Sequence, residues 1–214
     1  MQNCSEIPAL TVIEKSGSSA DPLKILIVGV FHGEEPQGEF ILNKYMKTTP
    51  SFCPQNNLYF IPCLNKWGMQ RGLRVNKNGV DLNRNYPTKN WIKTERNENF
   101  SGETVASEEE TLFMIKLLEE IKPDIILTLH APLKCVNYDG PAKKLAEKIA
   151  DFFAYPVVAD LGYPTPGSFG TYCGTERNIP TITLEYDDEE NPEHLYLKTE
   201  QVLNWLGNLK VIPK

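Results

Sequence analysis

His32 and Glu35 stand three residues apart, where the apolar run Ile25-Leu26-Ile27-Val28-Gly29-Val30-Phe31 gives way to Gly33-Glu34-Glu35-Pro36. A short turn between a strand and a helix can aim both side chains at one point. His130 ends a second apolar run and offers a third donor. Two imidazole nitrogens and a carboxylate oxygen form a set that Zn²⁺ accepts at about 2.0–2.2 Å, with a fourth position kept for water. A metal so held lowers the pKa of that water towards about 7 and polarises a carbonyl under attack. Such hydrolysis also needs a carboxylate that is not a ligand, to take the proton of the water. Glu185, which ends the run Thr181-Ile182-Thr183-Leu184, stands in that kind of place.

Each residue also has an ordinary use. A His-x-x-Glu pair is common, a histidine after an apolar run is often only capped, and a glutamate at a strand end is often only solvated. The concentration is what counts: the chain has three histidines, and two of them end apolar runs. The third, His194, follows Asn191-Pro192-Glu193 in a helical first turn and reads as a surface residue. The stretch from Gly29 to Gly33 lacks Gly-x-Gly-x-x-Gly spacing and carries a bulky Phe31 in the turn, which excludes a dinucleotide loop.

The elements around these residues alternate. Short β-branched runs predict strands at residues 24–30, 58–61, 124–129, 156–158 and 181–184. Helices are predicted from Pro36 to about residue 47, from a Ser107-Glu108-Glu109-Glu110 capping box, at 141–153, and from Asn191-Pro192 to about 209. In the second helix Leu112, Ile115 and Leu118 mark the apolar side. Strands alternating with helices mean an α/β protein with a largely parallel sheet, whose sites lie at the carboxyl ends of the strands. Residues 64–104, rich in Asn, Lys, Arg and Gly, are too long for a mere connection and read as a functional loop region.

The 214 residues suit one domain, residues 1–214, with no linker or repeat to divide it. Twenty-two basic against 28 acidic residues give a net charge of −6, which argues against nucleic acid as a partner. No apolar run approaches the roughly 20 residues that span a bilayer. The Met1–Glu6 stretch lacks a basic and apolar leader pattern, so a cytoplasmic location is expected with no membrane partner. Five scattered cysteines without Cys-x-x-Cys read as reduced, buried thiols.

The run Arg71-Gly72-Leu73-Arg74-Val75-Asn76-Lys77-Asn78-Gly79-Val80-Asp81-Leu82-Asn83-Arg84-Asn85-Tyr86-Pro87-Thr88 gathers arginines and amides in one loop, which suits bidentate carboxylate binding. It closely resembles the Asp-Leu-Asn-Arg-Asn region of the zinc carboxypeptidase (M14) family. With His32-x-x-Glu35 before it, and His130 and Thr183-Leu184-Glu185 after it, the landmarks of that family occur in order over residues 25–187. The resemblance implies a mixed, mostly parallel sheet of about eight strands flanked by helices on both faces, with the missing edge strands in stretches such as residues 7–13. It implies one Zn²⁺ per chain on His32, Glu35 and His130, with Glu185 as general base. It further implies Arg74 at the oxyanion, and Asn83 and Arg84 on the free carboxylate of the residue released. Arg71 is left between a site role and a surface role. Asn65-Lys66-Trp67-Gly68 replaces the usual Asn-Pro-Asp-Gly, and the lost Asp puts a partner of a zinc-bound histidine in doubt. The catalytic tyrosine of digestive members has no secure counterpart; Tyr163 matches poorly.

Within the family, the Gly79 to Trp91 stretch looks like the branch acting on murein peptides. That implies a small peptide substrate, cut at its γ-D-glutamyl–meso-diaminopimelate bond during cell-wall recycling. The zwitterionic far end of diaminopimelate would need an added carboxylate, for which Asp187, Asp188 and Asp139 are the candidates. Three alternatives stand beside this reading. One is an N-acyl amino acid deacylase of the aspartoacylase and succinylglutamate desuccinylase type. The others are a carboxypeptidase of different specificity and a catalytically dead binding protein.

Overall fold

A computed structural model describes residues 12–213. Its strands are β1 (Ile13–Lys15), β2 (Lys24–Gly29), β3 (Asn57–Ile61), β4 (Ile125–His130), β5 (Cys135–Asp139), β6 (Val157–Val158) and β7 (Thr181–Glu185). Its helices are α1 (Gln37–Thr48), the short α2 (Lys66–Met69), α3 (Glu109–Ile121), α4 (Lys143–Phe153) and α5 (Pro192–Gly207). The strands form one mixed sheet in the order β1-β3-β2-β4-β7-β5-β6. β3, β2, β4 and β7 run parallel, β1 and β5 join antiparallel, and β6 pairs parallel with β5.

The sheet has seven strands among the described residues, not the expected eight. The edge strand expected at residues 7–13 lies outside the described residues except for its end, where Ile13 opens β1. β5 is absent from the sequence-based expectation. It carries one aliphatic side chain, Val136, and follows β4 by only a few residues, so its pattern reads as loop. Its polar side chains have a reason, because Cys135, Asn137 and Asp139 share one face with Thr183 and Glu185 of β7.

Parity on the strands divides the core. Ile25, Ile27, Ile125, Leu127, Leu129, Ile182 and Leu184 face one side, where α1, α4 and α5 cover them. Leu26, Val28 and Ile126 face the other side, under α3 and part of the long irregular segment. His130 and Glu185 have the parity of this second side, so two of the chemistry-bearing side chains emerge on one face at the carboxyl end of the sheet. On α3 the buried positions are Thr111, Met114, Leu117, Leu118 and Ile121, while Leu112 is exposed. That corrects the expected face by about one position. Ser107 is not a capping box either: its hydroxyl donates to Glu108 Oε1 at 2.6 Å and accepts from Asn85 Nδ2. Cys135 and Cys173 are buried and Cys63 half-buried, but Cys53 is exposed; all four are free thiols. Among the described residues no helix is long and apolar enough to cross a membrane.

Residues 64–104 are irregular but held by buried polar side chains. Asn65 accepts from Gly68 N and donates to the carbonyls of Phe31 and Arg74. Asn85 Nδ2 meets the carbonyls of Ser101 and Thr104, and its Oδ1 accepts from Glu108 N. Buried Glu108 accepts from Asn76 and Asn78. Backbone groups without a ladder must find other partners, and here short amides supply them. Asn85→Ala strands two carbonyls, so it should lower the unfolding free energy by about 2–3 kcal/mol in urea titrations, at roughly 1–3 kcal/mol per buried group left unpaired. A loss below about 0.5 kcal/mol would show that Asn85 does not anchor the loop.

Candidate active site

β2 ends abruptly. Val30 has φ 54°, in the left-handed region that a β-branched residue rarely adopts, which costs about 1–3 kcal/mol. Leu64 N and Asn65 N bind the carbonyls of Gly29 and Val30 and hold this reversal. The turn it starts puts Phe31 into the core and brings His32 and Glu35 over the strand ends. Gly33 permits the next contact: a Cβ there would lie 2.1 Å from Gly68 C and 2.5 Å from Leu73 O. Without a side chain at that point, the loop that carries Arg74 reaches the turn that carries His32.

His32 Nδ1 lies 2.7 Å from Glu35 Oε1, and His130 Nδ1 lies 2.9 Å from Glu35 Oε2. All three residues are buried, and their donor atoms lie within 4.8 Å of one another, a group that could hold a metal ion. Phe31 stacks on the His130 ring at 5.3 Å, which limits its rotation. Burial pulls the His32 imidazole down, yet the carboxylates of Asp81 and Glu35 outweigh it and carry its pKa up to about 9. Burial would raise Glu35, but His32 and His130 override it and hold Glu35 down at about 2. Glu35 and Asp81 thus set up a negative field at the centre of the cluster, which favours a proton or another cation there.

Asp81 is the partner that the Asn65-Lys66-Trp67-Gly68 departure had put in doubt. It has no exposed surface. Its Oδ1 lies 3.2 Å from His32 Nε2 and accepts from Asn83 N, while its Oδ2 accepts from Arg74 Nε and Nη2 at 3.1 and 2.9 Å. These cations hold its carboxyl well below the usual range in spite of burial. Trp67 instead stacks under Arg71, at 4.2 Å.

All seven residues selected from the sequence line one cleft: His32, Glu35, Arg74, Asn83, Arg84, His130 and Glu185. Arg71 does not line it. Asn83 Oδ1 accepts from Phe169 N at 2.9 Å, which fixes the amide. Arg84 is buried, and its Nη1 donates to the Asn83 carbonyl. Arg74 Nη1 has only long approaches, 3.7 Å to Glu34 and 3.9 Å to Glu35. Glu185 is 6% exposed, and its Oε2 is buried with no hydrogen-bond partner among the described residues. Burial raises its pKa; His130 opposes this and Glu35 adds to it.

Tyr163, Asp139 and Thr183 are among the cleft residues outside that set. Tyr163 lines the cleft and its continuation past Arg74 and Arg84, where Glu34, Glu98 and Asn99 form a second hollow. Asp139 also lines the cleft, whereas Asp187 pairs with Lys134 at 2.8 Å and Asp188 is exposed. Thr183 lines it beside Glu185. Asp81 stands behind the cleft, and one signal pointed to it. An acid between two apolar residues, Val80 and Leu82, implies a buried carboxylate that needs partners.

Comparison with known proteins agrees with this arrangement. The family profile described as zinc carboxypeptidase matches residues 6–147. Murein peptide amidase A of Escherichia coli K12 is 34% identical over 197 residues, which are 84% of this chain and 79% of that protein. Murein peptide amidase A of Vibrio campbellii is 35% identical over 173 residues, 75% of this chain and 68% of that protein. The crystal structure of murein-tripeptide amidase MpaA from Escherichia coli O157 superposes with a TM-score of 0.78 at 31% identity, covering 94% of this chain and 87% of the other.

Elemental analysis of protein dialysed against Zn²⁺ should find about one ion per chain. His130→Ala should bind it at least about tenfold more weakly in a chelator competition, since one of three donors is lost. Equal affinity in both proteins would remove His130 from the centre.

Proposed function

The chain belongs to the zinc carboxypeptidase family, and from that premise we propose that it hydrolyses the γ-D-glutamyl–meso-diaminopimelate amide bond of small murein peptides in the cytoplasm. The family and its zinc dependence make it a metallopeptidase. The murein substrate rests on the likeness to the murein peptide amidases. The observation that carries the catalytic reading is the convergence of the seven residues on one cleft, where Glu185 is nearly buried and keeps one carboxylate oxygen unpaired among the described residues.

His32, Glu35 and His130 would hold the zinc. The fit rests on the donor set: two Nδ1 atoms already converge on one carboxylate, and Asp81 is in position to accept the remaining N–H of His32. When bound, the metal supplies polarisation of the scissile carbonyl and acidification of a water.

The chain supplies the rest. Glu185 takes a proton from the water at its carboxylate and returns it to the leaving amine. Its raised pKa brings it closer to the working pH, where a base can both accept and give up a proton. Arg74 is clamped to Asp81 through Nε and Nη2, so its Nη1 is free to bind developing negative charge on the carbonyl oxygen without reorganising. Asn83 spends its Oδ1 on Phe169, which leaves its NH₂ for the free carboxylate of the residue being released. Arg84 supplies the charge opposite that carboxylate. The hollow beyond Tyr163 gives the D-glutamyl and L-alanyl portion room to leave the cleft.

Zinc-loaded protein incubated with L-Ala-γ-D-Glu-meso-diaminopimelate should release free diaminopimelate and L-Ala-D-Glu, followed by mass spectrometry. An intact tripeptide, with turnover of N-acetyl-aspartate or N-succinyl-glutamate instead, would move the assignment to the N-acyl amino acid deacylases. Glu185→Gln should keep its zinc and lose turnover by at least about a hundredfold. A variant that still works near the wild-type rate would exclude Glu185 as the base. Asp81→Asn should weaken zinc binding by about 10–100-fold, read by chelator competition.

A further inference from the structure

We propose that Asp139 reads an ammonium group at the far end of the released residue's side chain, and so sets the specificity of the cleft. The inference rests on the amide-hydrolase reading above and deepens it. Sequence alone leaves three acids open, Asp139, Asp187 and Asp188. The geometry separates them, because only Asp139 lines the cleft.

Asp139 has no ion-pair partner among the described residues. Its Oδ1 has one long contact, 3.4 Å from Thr175 Oγ1, and its Oδ2 accepts no hydrogen bond. It nevertheless sits in a fitted cradle. A Cβ on Gly170 would lie 2.2 Å from Asp139 Oδ2, and a Cβ on Gly174 would lie 2.3 Å from Asp139 Cβ. These glycines flank and enter a π-helical turn, Thr171–Thr175, a rare local geometry that often marks functional sites. The turn seats the carboxylate at the cleft wall without supplying a cation. Burial raises its pKa, a cost that an arriving ammonium would offset.

The spacing fits one class of side chain. Asp139 lies four residues along β5 from Cys135, which pairs with Glu185. At about 3.4 Å per residue the backbones of the two acids stand roughly 14 Å apart along the strand direction. An extended chain of four C–C bonds and one C–N bond spans about 6 Å. With a contact of about 3 Å at each end it reaches about 12 Å, and the side chains of the two acids cover the remainder. The residue released therefore carries its second amine on the ε-carbon, as diaminopimelate and lysine both do. Asn137 and Thr183, which pair across the two strands, line the path between the acids.

The test compares kcat/KM for four peptides, L-Ala-γ-D-Glu-X, with X as meso-diaminopimelate, L-lysine, L-2-aminopimelate or L-norleucine. The first two keep the ε-ammonium; the others lack it. Wild-type protein should favour lysine over norleucine by about tenfold or more, the range for a hydrogen-bonded charge. Asp139→Asn should erase that ratio and leave the norleucine peptide nearly unchanged, with an unaltered melting temperature. No lysine preference in the wild-type protein overturns the proposal whatever the variant does, as does an equal loss on all four peptides. If no peptide is cut at all, the amidase reading fails. Calorimetric binding of free lysine and norleucine to wild-type protein then decides Asp139 separately: equal affinities overturn it, and a preference for lysine supports it.

Discussion

A carboxylate with no exposed surface controls the architecture of the site. Asp81 is taken fully out of water, which costs several kcal/mol unless every lone pair finds a partner. Its partners are His32 from the end of β2, Arg74 from the loop after α2, and the backbone of Asn83. Satisfying one buried charge therefore ties the end of β2, 49 residues away, to the loop that carries Arg74 and Asn83. It also decides which nitrogen of His32 faces the centre, and which nitrogen of the Arg74 guanidinium, Nη1, is left with only long approaches.

This constraint explains why a long segment without regular structure can be a rigid part of an enzyme. A loop of apolar residues would bury backbone groups with nothing to bind. Here Asn65, Asn76, Asn85 and Glu108 act as internal partners for carbonyls and amides, so the segment has a polar core of its own beside the hydrophobic one. Metal binding would add to the stability of this arrangement, because ions that bind only the folded centre stabilise it by mass action. The strained turn at Val30 belongs to the same logic. The packed sheet and the hydrogen bonds from residues 64 and 65 absorb its cost, and the return is an imidazole aimed over the strand ends.

The cleft is chemically divided along the sheet. At one end charges are densely paired, around His32, Glu35, Asp81 and Arg74. At the other end a single carboxylate, Asp139, has no cation beside it among the described residues. Glu185 lies between, with one oxygen unused. On the proposed reading a metal would add positive charge at one end and an ammonium at the other. A substrate residue carrying a carboxylate near Arg84 and an amine further on matches that division.

The sequence alone determined which atoms could do chemistry. His32, His130 and Glu185 were legible because apolar runs end at them, and Glu35 by its three-residue spacing from His32; strand ends are where parallel sheets place their sites. Arg74, Asn83 and Arg84 were legible only through a family resemblance, since nothing in a loop's composition tells which arginine faces a cleft. The main strands and α1, α4 and α5 were legible from local periodicity. β5 was not, because a strand with one face in a polar cleft loses the apolar pattern that announces it. The face of α3 was misplaced for a similar reason: Thr111 is buried and Leu112 exposed, which only the packing partner decides. Tertiary structure alone revealed Asp81 as the partner of His32, the cradle of Gly170 and Gly174 around Asp139, and the separation of Asp139 from Asp187. The physical reason is the same in each case. Residue type sets what a side chain can donate or accept, but whether a charge is buried, paired or left free depends on chain brought from tens of residues away.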